Sequence, residues 1–244
     1  MASLEHAVRV LRCFDDGRAT LTLTQATQLL GLPKSNLSRL LRAMRDAGLL
    51  DAAEASRGYR LGAMIQQLAS TRGNGPGLSA RASSVVRRIC DQLGYTGFVA
   101  VLRGTHVFGL AHHLGDNLLQ VGHPLGWRLP VDGSATGRAL LADMSDAEVE
   151  QLLGGQVSRA SPRSPSTFAD LLLRLQQIRR QGWSESCDEA GKGVGALAVA
   201  LCDAQTGERL SICMTYPVAV LDPRERTQAI EMLLQARSEL GAAS

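Results

Sequence analysis

Apolar side chains recur at three- and four-residue spacing near the start of the chain, where Leu4, Ala7, Val8, Leu11 and Phe14 share one face of a helix over 3–14. Asp15-Asp16-Gly17 breaks the pattern. Thr22 followed by Gln25 reads as a capping box, each side chain satisfying a backbone N–H at the helix start. The short helix it opens turns Ala26, Leu29 and Leu30 inward, and Gly31 ends it. Pro33 suits the first turn of the next helix, where a missing N–H costs nothing. Leu37, Leu40, Leu41 and Met44 are that helix's buried stripe, and Gly48 stops it. Two short apolar runs around a small polar turn in LLDAAEASRGYRLG predict a hairpin. Residues 62–70 return to helix, and RGNGPG (72–77) is loop-like enough to mark a domain boundary.

Beyond it, residues 78–93 are amphipathic through Ala82, Val85, Val86, Ile89 and Leu93. GFVAVLRG and THVFGLAHH pair as a hairpin, and a second strand pair is expected over 118–131. Helices are expected over 134–142 and 146–153, then a polar loop SRASPRSPS, then the helix FADLLLRLQQIRRQ, started by Thr167 with Asp170 and closed by Gly182. VGALAVALCD and ERLSICMTYP flank the turn-like AQTG as a central antiparallel hairpin, and Asp222 or Pro223 opens a last helix toward Leu240. Helices mixed with antiparallel strands make the fold class α+β. The expected organisation is a three-helix-plus-hairpin head over 1–61, a linker helix and loop over 62–77, and a second domain over 78–244, without internal repeats.

Composition narrows the functional classes. With 244 residues and 45% hydrophobic side chains, each domain can build a core. No stretch approaches the ~20 unbroken apolar residues of a membrane span. Glu5, His6, Arg9 and Arg12 interrupt the N-terminal apolar run, which reads as a helix rather than a signal peptide. The expectation is a cytoplasmic protein with no membrane partner. Five scattered cysteines without CxxC or zinc-ligand spacing fit a reducing compartment. The net charge of +3 is concentrated: residues 1–61 hold nine Lys+Arg against six acids, and the other 183 hold seventeen of each. A basic head on a neutral body suits DNA, because phosphate neutralisation drives sequence-independent affinity.

Three short helices with a glycine at the tight turn, then a hairpin, are the parts of a winged helix-turn-helix, whose third helix enters the major groove. With the Leu37 stripe inward, Ser35, Ser38, Arg39 and Arg42 share the opposite face, beside Lys34 and Asn36 at the helix start. Arg bridges guanine O6 and N7, Asn pairs with adenine, and Ser and Lys hold phosphates. Arg57 in the wing, with Thr24 or Gln25 at the start of the second helix, is placed for the backbone or an adjacent minor groove. A basic helix alone is more often a solvated face; the surrounding three helices and wing favour double-stranded operator DNA as partner.

SLEHAVRVLRCF, LTLTQATQLLGLPKSNLSRLLRAMRDAGLL and GYRLG together resemble the head of the IclR (isocitrate lyase regulator) family of bacterial transcriptional regulators. VDGSATGRALLA resembles that family's Ala-x-Gly-Lys segment, with Arg138 in place of Lys, and IRRQGWSESCDEAGKGVGALAVALCD resembles its glycine-aromatic, acidic-pair and apolar-strand segment. The likeness spans nearly the whole chain. It implies a GAF/profilin-like α/β effector-binding domain, a small and often carboxylated metabolite as effector, a dimer or tetramer, and control of operator affinity with repression the leading sign. Matching segments carries the effector pocket to Ala135, Thr136, Ser186, Ala196, Cys213 and Thr215. Relatives that bind small 2-oxo acids have an acid aligned with Ser186, a cysteine with Ala196, and serines with Cys213 and Thr215, so the resemblance implies a different effector here. Ser134 to Gly137 at a helix start either offer N–H groups to a carboxylate or contain only a cap made by Ser134.

Other chemistry is sparse. His106, His112, His113 and His123 fall within eighteen residues, but adjacent strand positions point to opposite faces and no Cys or carboxylate completes a shell, so neither metal nor cofactor is expected. Cys187, Cys202 and Cys213 read as small buried strand residues rather than a redox trio. There is no GxSxG elbow, P-loop or GxGxxG at a strand-helix junction, and Asp188-Glu189 read as a solvated turn or salt bridge. No catalytic residue and no enzyme are expected. The alternatives are a metabolite-processing enzyme and a ligand-independent oligomeric DNA-binding protein; ligand-dependent operator affinity separates the latter.

Overall fold

Helices too short to be stable alone need a shared core, and Val10, Phe14, Leu21, Ala26, Leu37, Leu41, Met44 and Leu50 supply one. They belong to the first of two compact units, residues 1–75 and 76–244, in a computed structural model that describes residues 2–14, 18–53, 58–70, 77–121, 127–203 and 206–242. This unit runs α1 (Ala2–Arg12), α2 (Leu23–Leu30), α3 (Lys34–Asp46), β1 (Leu50–Ala53), β2 (Gly58–Leu61) and α4 (Ala63–Ser70). The capping box is formed: the Gln25 N–H donates to Thr22 Oγ1 at 3.3 Å and the Thr22 N–H to Gln25 Oε1 at 2.9 Å. Arg9 Nη2 donates to the Leu30 carbonyl at 2.8 Å, closing the other end of α2. α3 ends in a Schellman arrangement, with Gly48 N–H on Arg45 O and Leu49 N–H on Met44 O, both 2.9 Å, and Gly48 at φ 76°.

Three expectations shift here. Leu4 and Val8 are exposed, because α1 packs through Val10 and Phe14 with Ala7 and Leu11 beside them. Leu29 is 52% exposed rather than inward, because Leu23, Ala26 and Leu30 define the packed stripe of an eight-residue helix and Leu29 falls on its flank. Pro33 is the extended residue before α3 (ψ 133°), one position ahead of the first turn. β1 and β2 pair antiparallel from Leu50↔Leu61 to Ala53↔Gly58, and Leu21 adds a bridge to Tyr59 that the apolar pattern did not signal. The turn of the wing, with Arg57, lies outside the described residues, as does most of the loop expected at 72–77.

The second unit comprises α5 (Leu78–Leu93), β3 (Thr96–Arg103), β4 (His106–His113), β5 (Arg128–Pro130), α6 (Ala135–Ala142), α7 (Asp146–Leu153), α8 (Phe168–Gln181), β6 (Ser184–Cys187), β7 (Val194–Cys202), β8 (Arg209–Pro217) and α9 (Pro223–Ala242). Its antiparallel sheet has the order β5-β4-β3-β8-β7-β6. Both faces are covered. Val99, Leu197, Val199, Leu201, Ile212 and Met214 pack with α5 and α9, while Phe98, Ala196, Ala198, Ala200 and Cys213 pack with α6 and α8. The α6 face is built from small residues, which lets a helix approach closely. A Cβ on Gly137 would overlap the Val131 carbonyl.

The strand pair expected over 118–131 is not formed among the described residues: only 128–130 is a strand, paired with His106–Phe108 of β4. Glycines and a proline break the alternation in this stretch, and Asn117 N–H bonds instead to the Gly94 carbonyl after α5 at 3.1 Å. β6 was not anticipated; its polar sequence becomes an edge strand only by pairing with β7. No helix among the described residues is long and apolar enough to cross a membrane.

Candidate nucleic-acid interface and ligand pocket

With Leu37, Leu41 and Met44 buried, α3 turns Lys34, Ser35, Asn36, Arg39 and Arg42 outward, with Ser38 half-buried between them. Asn36 Oδ1 accepts from Arg39 Nη2 at 3.0 Å, holding that pair side by side. Two other bases of the unit have acidic partners, Arg45 with Asp46 at 3.0 Å and Arg60 with Asp51 at 3.8 Å, whereas Arg9, Arg12 and Arg18 make no ion pair among the described residues. Lys34, Arg39 and Arg42 make no ion pair among the described residues and gather on one exposed face. Thr24 is exposed, and Gln25 is exposed with its side-chain oxygen used in the cap.

All seven residues proposed for an effector (Ser134, Ala135, Thr136, Ser186, Ala196, Cys213 and Thr215) line one cavity. Strand register explains their meeting. Ser186, Ala196, Thr215 and Thr96 are direct cross-strand partners, forming one rung over four strands. Ala198, Cys213 and Phe98 form the next rung on the same face. Across from these rungs sits the start of α6. Phe98, Trp127, Leu129, Ala190 and Val194 complete a cavity whose empty space, mouth included, is about 340 Å³. These five were missed: only register puts Phe98 on this face, and Trp127 meets Phe98 edge-on, 5.7 Å between ring centroids, from a distant stretch.

Ser134 does cap α6, its Oγ accepting from Gly137 N–H at 3.1 Å. The N–H groups of Ala135 and Thr136, in residues almost fully buried, keep no acceptor among the described residues. The cap and an open pair of N–H groups therefore coexist at this helix start. Burial pushes the Cys213 thiol up to about 11, against which a hydrogen bond from Thr136 works only in part, so the pocket presents a neutral thiol. Of the three strand cysteines only Cys213 is buried: Cys187 is half-buried on edge strand β6 and Cys202 is exposed at the end of β7, where each strand leaves the core.

The acidic pair divides its roles. Glu189 is buried and bridged by both Arg138 nitrogens at 2.6 and 2.9 Å, while Arg138 also donates to the carbonyls of Asp132 and Glu185. Arg138 thus ties α6 to the turn carrying Ala190, one wall of the pocket. Asp188 sits at φ 57° and meets Arg163 at 3.0 Å. His112 approaches Phe98 on one face of the sheet and His113 meets Asp91 of α5 at 2.8 Å on the other, as strand alternation requires. His123 lies outside the described residues.

Residues 3–54 match the IclR helix-turn-helix domain, and residues 74–241 match the C-terminal domain of the bacterial transcriptional regulator IclR. This chain belongs to the IclR family of transcriptional regulators. IclR regulators join a helix-turn-helix DNA-binding domain to an effector-binding domain and are not enzymes. The HTH-type transcriptional regulator XynR of Escherichia coli (strain K12) is 26% identical over 242 residues, covering 99% of this chain and 96% of XynR. The transcriptional repressor IclR of the same strain is 25% identical over 244 residues, covering 98% and 88%. The fold matches an IclR homolog from Microbacterium hydrocarbonoxydans, crystallised with 4-hydroxybenzoate, at a TM-score of 0.77 and 22% identity, covering 99% of this chain and 100% of the other.

Proposed function

We propose that residues 1–61 are the operator-binding domain, that 62–77 link it to the rest, and that residues 78–244 bind a small carboxylated effector and assemble the chain into a dimer or tetramer. Lys34, Ser35, Asn36, Ser38, Arg39 and Arg42 enter the major groove, flanked by Thr24, Gln25 and Arg57. The observation that carries this is the outward face of α3, where Lys34, Arg39 and Arg42 lie together with no acidic partner among the described residues. Ser134, Ala135, Thr136, Ser186, Ala196, Cys213 and Thr215 hold the effector, whose binding changes operator affinity. Repression is the sign favoured, a reading supported by the repressor among the relatives, and the compartment is the cytoplasm.

Full-length protein selected against genomic fragments will yield the operator, and affinity is then measured over a range of salt. Arg42→Ala is expected to weaken operator binding by about tenfold and to lower the slope of log K against log salt by about 1 if it holds a phosphate. Unchanged affinity and slope would mean that another face meets DNA.

A further inference from the structure

A free asparagine on a major-groove helix reads adenine through both halves of its amide, the oxygen accepting from N6 and the nitrogen donating to N7. On α3 the oxygen is already engaged. Asn36 Oδ1 accepts from Arg39 Nη2 at 3.0 Å, three residues on, with both side chains exposed. The start of the helix makes no claim on this amide, because Pro33 is the residue before α3 and there is no side-chain cap. What Asn36 still presents is its N–H2, a donor alone. Arg39 gives one of the five N–H groups of a guanidinium to this bond and keeps four, enough for a bidentate contact.

Arg45, on the same helix, is held in the opposite way. Its Nε and Nη2 both reach Asp46 Oδ1, at 3.3 and 3.0 Å, and the carboxylate offsets its charge. A neutral amide instead orients Arg39 while leaving its full charge for DNA, and it limits the rotamers that would otherwise be lost on binding. Two side chains that offer only donors fit acceptors. In the major groove guanine shows two, N7 and O6, and thymine one, O4; adenine sets a donor beside its acceptor, and cytosine shows a donor alone. We infer that Asn36 and Arg39 read the operator as one unit: Arg39, aimed by Asn36, bridges a guanine, and Asn36 gives its N–H to a keto oxygen of the neighbouring pair, so that Asn36 fixes no adenine. This rests on the operator-binding role of α3 proposed above. Asn36 is in this scheme a positioning residue for the guanine that Arg39 reads.

The test uses the full-length protein and the operator it selects from genomic fragments, with affinity measured for every single base-pair change across one half-site. Replacing one G·C pair is expected to weaken binding about tenfold, and Arg39→Ala to abolish the preference at that pair and at no other. Asn36→Ala should lower discrimination at the same pair by about threefold, and should add no loss there on top of Arg39→Ala, because the two residues act on one base. Asn36→Asp keeps the accepting oxygen, so it should retain discrimination at that pair while weakening binding to all sequences alike. Thermal midpoints of the free variants should stay in place, since both side chains are exposed. Full discrimination at the guanine in Asn36→Ala, with relaxation instead at a separate A·T pair, means that Asn36 reads adenine by itself and overturns the inference. Loss of discrimination in Asn36→Asp equal to that in Asn36→Ala overturns it as well. In both cases the operator-binding reading stands; a wild-type protein that selects no fragment sinks that reading, and the inference with it.

Discussion

Arg138 is among the largest fully buried side chains of the described residues, and its planar fork binds both Glu189 oxygens while two further N–H groups reach carbonyls, a set of contacts a single ammonium could not make. Desolvating two ions is offset only where the charges are well paired and hydrogen-bonded, and here four of the five guanidinium N–H groups have acceptors. Arg138→Met, which strands the Glu189 carboxylate with only Arg174 at 3.7 Å, is expected to cost about 3 to 5 kcal/mol in urea unfolding, and Arg138→Met/Glu189→Met to recover most of it. Thiols behave as their surroundings dictate. Cys90, pushed up to about 12, and Cys213, to about 11, both stay neutral because burial penalises the thiolate. Raised pKa values mean that their contribution to stability is complete below pH 9.0, the ordinary thiol value, and is lost as pH climbs toward 11 and 12. Iodoacetamide at pH 8 should alkylate exposed Cys202 first and leave Cys90 and Cys213 unmodified until the protein unfolds, as peptide mass spectrometry will read; early labelling of Cys213 would mean an open pocket floor.

Element boundaries follow from local chemistry wherever a cap fixes them. Thr22 with Gln25 and Ser145 with Glu148 are reciprocal boxes, and Gly31, Gly94, Gly154 and Gly182 end helices in the left-handed region. Thr22→Ala should cost about 1 kcal/mol, seen as a lower urea midpoint for the head. α6 depends on a different constraint, because Gly137 lies against the Val131 backbone and cannot retreat without opening the pocket end. Gly137→Ala is expected to lower stability by about 1 to 3 kcal/mol and to weaken effector response, whereas an alanine at Gly154, which has open space, should cost only its backbone strain. Loss of stability at Gly154 equal to that at Gly137 would remove close packing as the reason.

At the scale of the whole molecule, an operator-reading dimer places two α3 helices in successive major grooves, so the footprint should show two related half-sites about one helical turn apart or a multiple of it. Light scattering should give twice or four times the 26.0 kDa of the chain; a monomer that still protects both half-sites would end this picture. Much of the head was legible in the residues: its helices are amphipathic with one side in solvent, and on α3 period suffices to say which side chains face out, although Leu4, Val8 and Leu29 lie exposed where spacing set them on an apolar face. That is why the outward face of Arg39 and Arg42 can be read from spacing alone. The sensor sheet is different. It is antiparallel yet buried on both faces, so β7 reads as an unbroken apolar run and alternation cannot say which residue meets which layer. Ala196 and Leu197 are both apolar and adjacent in sequence; only register sends one to α6 and the other to α5 and α9. Likeness to a family carried six residues to one cavity and the helix start added Ser134, but Phe98, Trp127 and the Arg138–Glu189 bridge come from stretches with no local sign of one another. The sequence alone determined the helices of the head, their caps, the charge asymmetry and the family; the tertiary structure decided the pocket, because long-range strand pairing, rather than any local period, sets which distant side chains share a face.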